Sequence, residues 1–347
     1  MQQSKFGRKP TGIRLEKIKR SPNYKNGAFQ NQSHTPALAE GASFVSVLTE
    51  FLFRKHPGKK PSQPLPSVKT DLFSLSQEED VLIWMGHSSY FMQVDGKRIL
   101  VDPVLSGNAS PFSSGTKAFQ GADIYKTDDI PEIDLLFISH DHWDHLDYKV
   151  MKSIRPKVKK VITGLGTGEH LEKWGFSKEI ILEKDWNEFI QLEDGFSVTI
   201  TAARHFAGRT FKRNTALWVS FVLQTPHHKI FIGGDGGYDT HFKKIGDHHG
   251  PFDLAILECG QYDKSWKYIH MMPEEVVAAA QHLQAKKLLA VHWGKFTLAN
   301  HTWKDPIERV SKAARENDVL LLTPMIGEKA NINATQNTFS SWWENIK

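Results

Sequence analysis

The sequence predicts an α+β protein, an αβ/βα sandwich of two mixed β-sheets flanked by helices. Three observations point there. Paired apolar runs separated by tight-turn residues mark antiparallel hairpins in the middle of the chain. After Phe252 the pattern changes to strands alternating with helices. Throughout, residues able to hold a metal follow directly on apolar strands.

Regular structure is expected from Val81, where Val81-Leu-Ile-Trp-Met forms a first apolar run. Tyr90-Phe-Met-Gln-Val and Arg98-Ile-Leu-Val then flank Asp95-Gly96, a dipeptide suited to a two-residue hairpin turn. Asp134-Leu-Leu-Phe-Ile-Ser reads as a buried strand, Val158 to Thr163 as another, and Gly168 to Trp174 as a short helix. Phe189 to Leu192 and Phe196 to Ala202 pair around Glu193-Asp-Gly; Leu217 to Leu223 and Lys229 to Ile232 pair around Thr225-Pro-His-His. Phe252 to Glu258, Lys287 to His292 and Val319 to Thr323 are expected strands. Between them lie helices over Pro273 to Gln284, with two glutamates in its first turn, and Pro306 to Glu316.

A chain of 347 residues with 39% apolar and 24% charged residues has the balance of a folded protein with a real core. It fits one large catalytic domain over residues 81–347 behind an extension and proline-rich connector over 1–80, or two halves packed face to face. The extension is poorly periodic, and its longest apolar patch, Phe44 to Phe53, is interrupted by Ser46, Thr49 and Glu50. No apolar run approaches the ~20 residues of a membrane-spanning helix, and the N-terminus does not read as a secretory signal. A single cysteine, Cys259 at the end of an apolar run, agrees with a reducing, cytoplasmic setting and reads as a buried structural thiol. The net charge of +5 is uneven: residues 1–25 hold eight Lys and Arg against Glu16 alone, so the rest of the chain is net acidic. Such an arm suits either solvation across its own domain or peripheral contact with anionic membrane. No basic and aromatic nucleic-acid module is seen in the body, and nothing in the sequence marks an oligomer.

The chemistry concentrates in Ser139-His140-Asp141-His142-Trp143-Asp144-His145-Leu146-Asp147. Three histidines and an aspartate in the pattern His-x-His-x-Asp-His are costly to cluster without a partner, and imidazole and carboxylate are common zinc ligands. In a loop leaving a strand, His140 and His142 can face one point and Asp144 and His145 an adjacent one, so one segment serves two metals. Asp147 fits the N-cap of the next helix. His205, Asp235 and His292 each follow an apolar strand and can complete the set.

On these residues the chain resembles the metallo-β-lactamase superfamily. More narrowly it resembles the N-acyl-phosphatidylethanolamine-hydrolysing phospholipase D group and its bacterial relatives. The supporting stretches are Trp84-Met-Gly-His-Ser-Ser, Leu100-Val-Asp-Pro-Val-Leu-Ser, Ser110-Pro-Phe, Gly233-Gly-Asp-Gly-Gly-Tyr, His270-Met-Met-Pro-Glu-Glu and Val291-His-Trp-Gly-Lys-Phe. The resemblance implies that His140, His142 and His205 hold one metal, that Asp144, His145 and His292 hold a second, and that Asp235 bridges them. It places His270 at the open face, where it helps position substrate; from its own sequence context His270 also fits a helix-flanking surface residue. His87 and Asp102 fall in family turns, either as groups that orient ligands or as turn formers. Trp143 fills a variable slot and is expected to pack.

The implied activity is that of a binuclear zinc-dependent hydrolase, a phosphodiesterase of phospholipase D-like type, in which a metal-bridging hydroxide attacks phosphorus. Two Zn²⁺ are the expected cofactors, with Mn²⁺ or Fe able to use similar ligands. One iron-using redox branch of the fold carries a carboxylate where His142 stands, which favours hydrolysis here. A lactonase or other carboxylic ester hydrolase could use the same metals, and a non-catalytic metal-stabilised binding module is the reading from another class. The substrate expected is a small molecule or phospholipid.

Overall fold

A computed structural model describes residues 4–53, 56–112, 116–336 and 338–347. The extension holds helix α1 (Gly12–Lys19), a two-stranded ribbon of β1 (Tyr24–Lys25) and β2 (Ala28–Phe29), and helix α2 (Phe44–Phe53). The body opens with β3 (Val81–Trp84), β4 (Tyr90–Val94), β5 (Lys97–Val101) and β6 (Ile133–Ile138). Then come α3 (Tyr148–Ile154), β7 (Val158–Gly164), α4 (Gly168–Lys173), β8 (Ile181–Lys184), β9 (Phe189–Gln191), β10 (Ser197–Ala202), β11 (Val219–Gln224) and β12 (Lys229–Ile232). The chain ends through α5 (His241–His249), β13 (Leu254–Glu258), α6 (Pro273–His282), β14 (Leu288–Val291), α7 (Asp305–Glu316), β15 (Leu321–Leu322) and β16 (Lys329–Asn331).

The body is the expected sandwich of two mixed sheets, each seven-stranded. The first runs β16-β3-β4-β5-β6-β7-β8 and the second β15-β14-β13-β12-β11-β10-β9. In each, antiparallel pairs at one side give way to parallel pairs at the other. The β4–β5 turn uses Asp95 and Gly96, both at positive φ, as the Asp-Gly dipeptide requires.

Side-chain alternation decides which face meets which layer. From β6, Leu135 and Phe137 point between the sheets, while Leu136 and Ile138 point outward and cluster with Val150, Met151 and Ile154 of α3. Phe137 meets Phe221 of the second sheet edge-on at 5.0 Å. On the other side, α5, α6 and α7 bury Phe242 and Ile245, Val276 and Val277, and Ile307 and Val310 against the second sheet. Each such fully buried side chain contributes roughly 1.5–3 kcal/mol.

α1, β1, β2, α2, α5, β8 and β16 have no counterpart among the expected elements. α1 buries only Ile18 along its length, so apolar periodicity could not announce it. Its anchor is instead Arg14, which pairs with Glu169, Glu172 and Glu183, all more than 150 positions away. No helix among the described residues is long and apolar enough to cross a membrane.

α5 packs against α6 through Gly246, where a Cβ would fall inside the His282 carbonyl. Gly246→Ala is therefore expected to lower unfolding free energy by ~1–3 kcal/mol through overpacking, read as a lower urea midpoint at unchanged slope.

Candidate metal centre

The histidine-rich segment leaves the C-terminal end of β6. Hydrogen bonds from the His145 and Leu146 amides to the His142 carbonyl fold it into a turn. Asp147 then caps α3 by accepting from the Lys149 and Val150 amides, as its position suggested. The exits of β10, β12 and β14 in the opposite sheet bring His205, Asp235 and His292 to the same rim.

Two groups of donors result: His140, His142, His205 and Asp235, and His87, Asp144, His145 and His292; within each, the candidate ligand atoms lie within 4.8 Å of one another. In the first, His142 Nδ1 is 2.8 Å from His140 Nε2 and 3.3 Å from His205 Nε2. In the second, His145 Nε2 is 3.8 Å from Asp144 Oδ2. The Asp235 carboxylate touches both groups: Oδ2 is 3.0 Å from His145 Nε2, 3.8 Å from His205 Nε2 and 3.9 Å from His140 Nε2, and Oδ1 is 3.2 Å from His292 Nδ1.

The donor set fits cations. Three imidazole nitrogens converging on one point cannot all be satisfied by the single proton of His142 Nδ1, whereas one cation can accept a lone pair from each. His145 Nε2 and Asp235 Oδ1 are buried without hydrogen-bond partners in the protein, and such orphaned atoms are costly unless a ligand satisfies them. Burial, reinforced by neighbouring imidazoles, holds His140, His205 and His292 well below the ordinary histidine range, although Asp235 opposes it. They therefore stay neutral and able to coordinate. Burial opposes charge on His145 too, but Asp235, Asp144 and Asp102 outweigh it and raise its pKa in the metal-free protein.

Supporting groups fix most of these rings. Asp102 Oδ2 lies 2.8 Å from His145 Nδ1, and Ser139 binds the same carboxylate through its amide and hydroxyl. Ser88 Oγ lies 2.8 Å from His292 Nδ1, and the Ile269 carbonyl accepts from His205 Nδ1. His87 Nε2 is 3.0 Å from Asp144 Oδ2. His87, Asp102 and His292 all hold positive φ, a strain that non-glycine residues carry chiefly where surroundings over-determine them. Asp102 and His87 thus serve both as turn formers and as partners of candidate ligands.

His270 faces the same rim, its ring 5.0 Å from that of His205 and 5.2 Å from that of His292. Its Nδ1 is 3.5 Å from Oε1 of Glu258, a buried carboxylate whose Oε1 accepts from the Met271 amide. Burial pushes Glu258 up to about 7. Glu258 was not among the residues singled out from sequence; its only signal there is a carboxylate closing an apolar strand. Trp143 stacks under the Arg209 guanidinium at 3.8 Å. Cys259 is a buried thiol, pushed up by burial.

Fold and site together define a metal-dependent hydrolase. Residues 97–293 match the beta-lactamase superfamily domain. The chain belongs to the metallo-β-lactamase superfamily. An uncharacterised protein of Mycobacterium tuberculosis is 35% identical over 330 residues, 93% of this chain and 87% of that one. The N-acyl-phosphatidylethanolamine-hydrolyzing phospholipase D 1 of Caenorhabditis elegans is 28% identical over 91% of this chain and 93% of its own. Among solved structures, the metallo hydrolase Igni18 from Ignicoccus hospitalis shares the fold at 19% identity and a TM-score of 0.55, over 72% of this chain and 97% of that one.

Proposed function

We propose that the protein is a two-metal phosphodiesterase acting on a phospholipid-like substrate. The observation that carries this reading is the Asp235 carboxylate reaching both donor groups, with Oδ1 making no hydrogen bond within the protein. In the assignment we adopt, His140, His142 and His205 would hold one cation and Asp144, His145 and His292 the other, with Asp235 available to both. Zinc suits this nitrogen–oxygen donor set, while manganese and iron accept similar ligands. Bound there, two cations supply a Lewis-acid clamp and a water acidic enough to ionise near neutral pH.

The chain's own residues do the rest. Asp102, Ser139 and Ser88 hold ligand rings in register. Glu258, next to Nδ1 of His270, orients that imidazole so that Nε2 can donate a proton or hydrogen bond to substrate oxygen as charge develops. No side-chain nucleophile is needed.

The lipid substrate class is supported by the name of the nematode relative and by the rim. Phe211 is fully exposed on the loop that follows His205, beside exposed Lys212 and Arg213. Phe112 is exposed next to Lys5, whose ammonium lies 5.6 Å from its ring. Aromatic and basic side chains together suit an anionic headgroup region, and a peripheral membrane contact belongs to the same reading. The basic arm contributes less than its composition suggests, because Arg8 and Arg14 pair with acids of the body.

The test is metal analysis followed by turnover of an N-acyl phospholipid, bis(p-nitrophenyl) phosphate and simple lactones. Two metals per chain and preference for the phosphodiesters are expected. Faster kcat/KM on lactones would transfer the site to carboxylic esters.

A further inference from the structure

We propose that residues 4–31 form a positioning strap for one of the two metal positions, the one between His140, His142 and His205. The proposal rests on the two-metal reading above and concerns how that site is held.

The strap grips the ligands at two points. At the first, the Arg8 amide donates to His170 Nδ1, so the ring proton sits on Nε2, which lies 3.1 Å from Asp141 Oδ2. Asp141 stands between His140 and His142, and its other oxygen accepts from the Gly208 amide at 2.6 Å. Arg209 closes the same joint, donating to the carbonyls of Asp141, Leu146 and Lys5 while stacked on Trp143. Gly7 passes so close to His170 that a Cβ would collide with its ring, and its φ of +71° is one that side-chain-bearing residues rarely adopt.

At the second point, Asn31 brackets His205. Its Oδ1 accepts from the His205 amide at 3.1 Å and from Trp218 Nε1 at 3.0 Å, and its Nδ2 donates to the His205 carbonyl at 2.8 Å. One side chain thus fixes both peptide groups of a candidate ligand.

The other metal position is held differently. His145 is oriented by Asp102, His292 by Ser88 and Asp144 by His87, all from residues beyond 80. Loosening Asn31 should therefore empty one position and spare the other. A general loss of structure would not discriminate between them.

The experiment compares the full-length wild type with Asn31→Ala and, separately, Gly7→Ala, each loaded with zinc or cobalt and titrated with a chelator. Anomalous diffraction identifies the position emptied first. Partners of ligands typically alter metal affinity ~10–100-fold, so Asn31→Ala is expected to release metal from the His140/His142/His205 position at least about tenfold more readily, with the other position changed less than about twofold; Gly7→Ala, whose joint also reaches Leu146 beside His145, is expected to weaken the first position more than the second. Unchanged release from both positions, or equal weakening of both, overturns the strap. If the wild type itself holds fewer than two metals, the two-metal reading fails instead, and the strap with it.

Discussion

Asp235→Asn should abolish turnover while leaving the fold intact. The substitution preserves shape and removes the negative charge that both donor groups share. Burial alone would favour protonated Asp235, yet His145, charged in the metal-free protein, holds its pKa well below the carboxylate range, so the carboxylate is ionised at neutral pH. An amide offers one weak acceptor where the carboxylate offers two. A loss of at least about a thousandfold in kcat, ~4 kcal/mol of barrier, is expected, with metal content falling below that of the wild type. Chelation of the wild type should reproduce the loss, and added zinc should reverse it. Retained activity in thoroughly demetallated protein would sink the whole chemical reading. The controls are circular dichroism and elemental analysis on the same preparations.

The second large effect belongs to His270. It approaches Asp235 and His292 closely enough to form a third candidate donor group with them, so two roles are open to it on geometry. As a donor to substrate, His270→Ala lowers kcat by ~10²–10³-fold and leaves two metals per chain. As a ligand, it lowers metal content as well. The Glu258 contact favours the first role, because a carboxylate beside Nδ1 fixes the ring and supports positive charge on it. Burial disfavours that charge, but Glu258 outweighs it, so the pKa of His270 is raised in the metal-free protein. The loss should be larger for esters with poor leaving groups than for p-nitrophenyl esters, which leave without a proton. Equal losses on both would remove His270 from proton donation.

Much of the donor cluster is legible in the sequence. His140 to His145 announce themselves by density, and His205, Asp235 and His292 by their place after apolar strands, because strand ends at a sheet rim are where a rigid scaffold can present side chains. The hairpins and the helices α6 and α7 were equally readable, since turn chemistry and apolar period agree there. What stayed hidden depends on contacts far apart in sequence. α1 is held by three glutamates of the body, Asn31 looks like any loop asparagine until His205 lies against it, and Glu258 ends its strand twelve positions before His270. α2 is apolar along its length but interrupted by Ser46, Thr49 and Glu50.

The candidate ligands leave strands of both sheets: β6 of one, and β10, β12 and β14 of the other. Whatever cations sit there would rivet two halves of a sandwich along one seam. Occupancy then becomes part of folding itself, because an unfolded chain holds no such seam. Free metal at a hundred times its dissociation constant adds about 2.7 kcal/mol for one site, a sizeable fraction of an ordinary domain's margin. Cells short of the metal would lose the protein to proteolysis as well as its chemistry, so abundance would track supply.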